Sequence, residues 1–205
     1  MGLRRFAILL LVVAAFSTLS QAQKADVSFV VGGAFASEDN SVAITCTIPC
    51  PPTFQLSNDH HVFYEGTGAV RLANFKLASL HLEVPVSGIP SAQVIFPGTP
   101  PANLLKLSTL FVTPSLRIKL APGFPVSPFA SIGGGWARYS VGSGLTDNKG
   151  ALQFGGGVDI KTGIPLLGFR AEVRDFVTGH PNFGTLSVRT GSHNVLAGGG
   201  IVLRF

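Results

Sequence analysis

From about residue 24 onward the chain alternates apolar and polar positions with a period of two, in stretches separated by clusters of Gly, Pro, Asn and Ser. That period puts successive side chains on opposite faces of an extended backbone, so the pattern predicts strands bounded by turns. Eight such stretches occur, at about 24–36, 60–74, 76–86, 108–121, 126–141, 150–162, 166–178 and 192–205. The third is the clearest: Ala78, Leu80, Leu82, Val84 and Val86 share one parity, and Ser79, His81 and Glu83 the other. The fourth sets Leu110, Val112, Leu116, Ile118 and Leu120 against Thr113, Ser115, Arg117 and Lys119, with Pro114 as an irregularity that suits a bulge. In the seventh, Phe169, Ala171 and Val173 oppose Arg170, Glu172 and Arg174. In the eighth, Val195, Ala197, Gly199, Ile201, Leu203 and Phe205 share a parity, while Leu196 and Val202 interrupt the polar one and leave its register open.

The connections alternate in length. Short turns fall near Asn74-Phe75, Pro122-Gly123 and Gly163-Ile164-Pro165, and longer loops are expected at 37–59, 87–107, 142–149 and 179–191. Short turns at one end and long loops at the other are expected of a barrel inserted in an outer membrane, with the turns on the periplasmic side.

Composition narrows the reading. Charged residues are 12% of the chain, about half the usual share of ~25% for soluble domains. Arg4-Arg5, the apolar run from Phe6 to Phe16 and the small-x-small site Ser20-Gln21-Ala22 have the form of a signal peptide over residues 1–22, leaving 23–205 as one domain. Beyond it no apolar run reaches the roughly 18 residues a spanning helix needs. Only helices and closed barrels satisfy every backbone polar group in lipid. The expected fold is therefore all-β, an eight-stranded antiparallel up-and-down transmembrane barrel. Without Arg4 and Arg5, 13 Lys and Arg stand against 10 Asp and Glu, and no basic cluster with interleaved aromatics points to nucleic acid.

The charged parity decides which face meets lipid. It carries Glu83, Arg117, Lys119, Asp159, Lys161, Arg170, Glu172, Arg174 and Arg204. Each Arg or Lys on the lipid face near the midplane costs about 2–4 kcal/mol. The charges are therefore expected inside, as a lumen network. Eight strands leave an interior just wide enough for side chains to fill, so a plug is favoured over a charged gate. The set holds six cations and three carboxylates, so any leak should prefer anions. Gly133, Gly135, Gly155, Gly157, Gly198 and Gly200 are expected to make room for the long side chains.

The final strand, Gly198-Gly199-Gly200-Ile201-Val202-Leu203-Arg204-Phe205, resembles the closing strand of outer-membrane β-barrel proteins. With the signal peptide and the eight-strand pattern, the chain resembles the OmpA-type transmembrane barrel and its small porin-like relatives over essentially its whole mature length. The resemblance implies an outer-membrane location, contact with outer-membrane lipid and lipopolysaccharide, and recognition of Phe205 by the barrel-assembly machinery. No peptidoglycan-binding domain is implied. Aromatics at strand ends fit interfacial girdles: Trp136 and Tyr139 towards the outer rim, Phe124, Phe169 and Phe205 near the inner one.

Candidate chemistry is sparse. Cys46 and Cys50 suit a loop-stapling disulfide in an oxidising compartment, with a metal or redox pair as the rival reading. His60-His61 stand beside Asp59, but adjacent side chains on a strand point to opposite faces. Ser192-His193-Asn194 holds the residue types of barrel-borne lipid hydrolases, yet neighbours along one strand do not bring nucleophile and base within hydrogen-bond reach. Gly133-Gly134-Gly135 lacks the strand-to-helix setting of a phosphate loop. The apolar loop Ile95-Phe96-Pro97-Gly98-Thr99-Pro100-Pro101 is either a contact surface or a stiff rim loop. The chain is not expected to be an enzyme or to hold a metal or cofactor. The expected role is structural or surface-interacting through the outer loops; the alternatives are a small-solute porin and, ranked lower, a barrel enzyme acting on lipid.

Overall fold

The computed structural model describes residues 25–36, 41–42, 54–55, 61–94, 105–141, 144–179 and 193–205. They form strands β1 (Ala25–Ala36), β2 (Ser41–Val42), β3 (Phe54–Gln55), β4 (His61–Asn74), β5 (Ala78–Val94), β6 (Leu105–Val112), β7 (Ser115–Leu120), β8 (Val126–Val141), β9 (Thr146–Lys161), β10 (Leu167–Thr178) and β11 (His193–Arg204). There is no helix among the described residues. β2 and β3 pair with each other outside the main sheet. The remaining strands pair antiparallel with their chain neighbours, and β1 closes on β11 from Asp26↔Arg204 to Ala36↔Asn194.

β6 and β7 are two halves of one spanning strand, both lying between β5 and β8. Pro114 breaks it because it has no N–H to donate to the ladder. The seam stays bridged: Thr113 N donates to Pro85 O at 3.4 Å, and Gly134 N donates to Pro114 O at 3.2 Å. With β6 and β7 counted as one, the sheet is the closed eight-stranded antiparallel barrel that the alternation predicts.

Two strand bounds differ from expectation. β5 runs on to Val94, so the connection expected over 87–107 shrinks to 95–104. Gly88 and Pro90 read as turn residues, but Pro90 falls where the register shifts between Ile89 and Ala92, a place that needs no ladder donor. β9 begins at Thr146, paired with Ser140, so strand takes up residues 146–149 of the loop expected at 142–149. Thr146 to Gly150 lack apolar alternation because a strand end that projects beyond an apolar band needs none. The signal peptide, Cys46, Cys50, the Pro-rich loop, His60, His180 and Ser192 lie outside the described residues.

Inward and outward parities separate cleanly. β7 alternates buried and exposed residue by residue, with Ser115, Arg117 and Lys119 inward and Leu116, Ile118 and Leu120 outward. Leu196 and Val202 point inward and are fully enclosed, which settles the register of β11. The glycines act differently from expectation. Of the six expected to do so, only Gly155 makes room for a charged side chain: a Cβ there would sit 3.0 Å from Arg174 Cγ. At Gly135 and Gly200 a Cβ would lie 2.0 Å from Val112 O and 1.8 Å from Phe29 O. Those positions, with Gly133, Gly157 and Gly198, let adjacent backbones approach where the sheet coils to close.

Candidate functional site

The interior is filled in two ways along the barrel axis. Towards the turns it is ionic. Asp159, on β9, faces Lys119 of β7 at 2.5 Å and Arg170 of β10 at 2.8 Å. Arg170 also donates from Nη1 to Ser28 Oγ at 2.9 Å. Asp26 of β1 holds Arg117 at 2.6 Å, and Arg117 reaches Glu83 at 3.2 Å. The Phe129 ring centroid lies 4.9 Å from the Arg170 guanidinium and 5.6 Å from that of Arg117, so both gain a cation–π contact.

At mid-height Arg174 meets three carboxylates: Glu65 at 3.0 Å, Glu83 at 2.8 Å and Glu172 at 3.1 Å. Ser87 and Thr67 donate to the Glu65 carboxylate at 2.6 and 2.9 Å. Beside this layer Ser115 donates to Gln153 Oε1 at 2.6 Å, and Gln153 Nε2 donates to Ser131 Oγ at 3.0 Å. Strand pairing draws such distant residues together because the polar parity of every strand converges on one axis.

Towards the loops the filling turns apolar. Val30, Ala34, Phe63, Ile89, Phe111, Ala137, Tyr139, Ala151, Phe176 and Leu196 form one buried cluster. The Phe111 and Phe176 rings stack with centroids 4.5 Å apart, a favoured aromatic geometry. Tyr139 belongs here and not to an outer girdle: its ring is enclosed and its hydroxyl lies 2.6 Å from Thr178 Oγ1. Trp136 and Tyr139 differ by an odd number of residues, so only one of them can face out, and that one is Trp136.

Seven of the nine charges expected inside are buried in the interior: Glu83, Arg117, Lys119, Asp159, Arg170, Glu172 and Arg174; Arg204 is half-buried at the turn-end mouth. Lys161 shares their parity but is exposed, because it ends β9 at the turn-end mouth. Asp26 and Glu65 belong to the network and were not singled out from the sequence. Their signal was available, since each alternates with apolar neighbours (Val27 and Phe29; Val62 and Tyr64) on a predicted strand. The count changes accordingly. Five carboxylates, Asp26, Glu65, Glu83, Asp159 and Glu172, stand buried against four cations. The cation-rich lumen inferred from sequence is corrected to a nearly balanced one.

The exterior is the complement. On β8 the outward residues from Val126 to Trp136 carry no charge, and Arg138 is the first outward charge beyond them. Phe124, Phe169 and Phe205 are exposed near the turn end. Near the loop end His193 Nδ1 lies 2.7 Å from Asp175 Oδ2, a carboxylate–imidazole pair. His81 is enclosed at the turn end, 2.9 Å from Ser79 Oγ. No group of three metal-ligating side chains occurs among the described residues.

These features define the class as a closed eight-stranded antiparallel barrel with enclosed charges and an apolar exterior. No family model and no curated protein matches the chain. Among solved structures it is similar to Neisserial surface protein A, at 12% identity over 90% of this chain and 100% of that one, with a TM-score of 0.49. It is also similar to Ail, the attachment invasion locus protein of Yersinia pestis, at 12% identity over 89% and 100% of the two chains (TM-score 0.47). The N-terminal β-barrel domain of Pseudomonas aeruginosa OprF aligns at 12% identity over 90% and 98%, with a TM-score of 0.43.

Proposed function

We propose that this chain is an integral outer-membrane β-barrel whose filled interior is structural and whose loop-bearing end serves surface interaction. One observation carries the reading: the outward face is uncharged along the body of every described barrel strand, while the ion pairs are enclosed. The stretch 126–136 of β8, rising ~3.3 Å per residue at a tilt near 40°, covers about 25 Å, the height of the apolar band of such barrels. Arg138, Asp175 and His193 lie just beyond it at the loop end, level with the phosphate-bearing headgroups of lipopolysaccharide. Phe205 at the turn end suits recognition by the barrel-assembly machinery. A porin needs a continuous water path, which the Arg174 layer and the Phe111–Phe176 stack oppose.

The test is fractionation. The protein is expected in carbonate-resistant outer membranes, and its gel mobility should change only on boiling. Extraction by carbonate with unchanged mobility would overturn the placement. Ile132→Arg, at the middle of the outward band, should cost about 2–4 kcal/mol in lipid vesicles. In planar bilayers the wild type should show no steady conductance; discrete open channels would restore the porin reading.

A further inference from the structure

The turn-end mouth opens into a cavity of about 360 Å³. Arg71, Lys119, Lys161 and Arg204 line it, together with His81 and a single acidic side chain, Asp26. The carboxylates of this end are already committed. Asp26 holds Arg117 at 2.6 Å, and Asp159, just inside, holds Lys119 and Arg170 at 2.5 and 2.8 Å. Arg204 comes no nearer to Asp159 than 3.7 Å. Arg71 and Lys161 have no carboxylate partner among the described residues. Arg71 Nε and Arg204 Nε and Nη2 are shielded from solvent and have no hydrogen-bond acceptor among those residues. The middle of the lumen is the reverse, with three glutamates around Arg174. Surplus positive charge is thus collected where the interior opens.

Local structure holds these cations in place. The register of β4 on β5 shifts between Arg71 and Ala73, and such a bulge re-aims a side chain. Arg204 lies over Gly168, where a Cβ would come within 2.8 Å of its guanidinium nitrogens. Guanidinium forks match the oxygens of phosphate, and a lysine adds a point charge. The cavity is many times the roughly 30 Å³ that one water occupies in the liquid, so an oxyanion fits with part of its hydration.

We propose that the turn-end mouth is a binding site for a phosphate group, held chiefly by Arg71, Lys161 and Arg204. Two sources share that chemistry: a soluble phosphate, or the headgroup of a phospholipid in the leaflet on the turn side. The soluble arm needs only the closed barrel, while the lipid arm rests on the membrane placement proposed above.

The experiment uses the full folded chain. In zwitterionic micelles at low salt, inorganic pyrophosphate is titrated by calorimetry. In phosphatidylcholine nanodiscs doped with phosphatidylglycerol, retained lipid is counted by native mass spectrometry. The variant is Arg71→Gln with Lys161→Gln, which breaks no ion pair described above. The control is Lys76→Gln with Arg138→Gln, which removes the same charge outside the cavity. Saturable pyrophosphate binding that weakens at least tenfold in the variant and not in the control supports a soluble ligand. Retained phosphatidylglycerol lost only in the variant, without pyrophosphate binding, supports the headgroup. Binding in neither arm, or equal losses in variant and control, overturns the proposal. Failure in both arms alongside carbonate-resistant insertion would sink the site and leave the membrane reading standing.

Discussion

One interior is filled by two chemistries. In the turn-side half, Asp26, Asp159, Arg117, Lys119 and Arg170 hold together through directional contacts between charges. In the loop-side half, Phe63, Phe111, Phe176 and Leu196 hold together by volume and burial. Both halves sit on the same strands with the same alternation, so the sheet does not dictate which filling is used. The difference lies in what each half tolerates. A charge removed from a paired layer leaves its partner desolvated and alone, which costs more than the pair itself supplies. A group removed from an apolar layer leaves a cavity whose cost follows its size. The ionic half therefore specifies partners, whereas the apolar half specifies shape and closes the lumen.

The sharpest way to break this comparison is Arg174→Met. It leaves Glu65 and Glu172 without their ion-pair partner and Glu83 with Arg117 alone, and should cost about 5 kcal/mol or prevent folding. Urea unfolding in micelles, followed by gel mobility without boiling, measures it. Adding Glu65→Gln, Glu83→Gln and Glu172→Gln to the same chain should restore most of the loss, because no buried carboxylate is then left unpaired. If Arg174→Met alone proved neutral, the ionic half would be no more partner-specific than the apolar one.

Phe176→Ala is the counterpart in the loop half. It removes the stack on Phe111 and should cost about 3 kcal/mol through burial and cavity terms. The loss should be the same at low and high salt, since no charge is involved. The single Trp136, on the exterior, reports unfolding by fluorescence without touching either filling. A strong salt dependence would show that the two halves are coupled more tightly than their contacts suggest.

How much of this was legible beforehand follows from the same contrast. The ionic half was largely readable: Arg117, Lys119, Asp159, Arg170, Glu172 and Arg174 stand out as charges on one parity of an apolar chain. Asp26 and Glu65 obey the same rule but are isolated on their strands, and which carboxylate meets which cation depends on convergence across the lumen. Lys161 obeys the rule and still lies at the surface, because parity fixes the face and not the depth. The apolar half was not readable. Phe111, Phe176 and Leu196 share the polar parity, but their own chemistry does not set them apart from outward-facing apolar residues, so only the register of each strand places them inside. Tyr139 was misplaced for that reason. Pro90 and the stretch 146–150 hid strand because turn chemistry and polarity suit a projecting strand end as well as a loop.

The smallest effect tests whether the loop half contains any partner-specific element. Tyr139 and Thr178 place their hydroxyls 2.6 Å apart among apolar neighbours. Tyr139→Phe should cost about 1 kcal/mol, because Thr178 then keeps a buried hydroxyl without that partner. Thr178→Val should cost a similar amount. The double variant should be little worse than either single one, because replacing both members of a buried hydrogen bond by apolar groups of like shape is nearly neutral. The cycle thus predicts a coupling of about 1 kcal/mol, measured from urea midpoints of the four proteins. A coupling several times larger would mean that the loop half is also held by a particular pair. The division between a half that chooses partners and a half that only fills space would then fail where it looks safest.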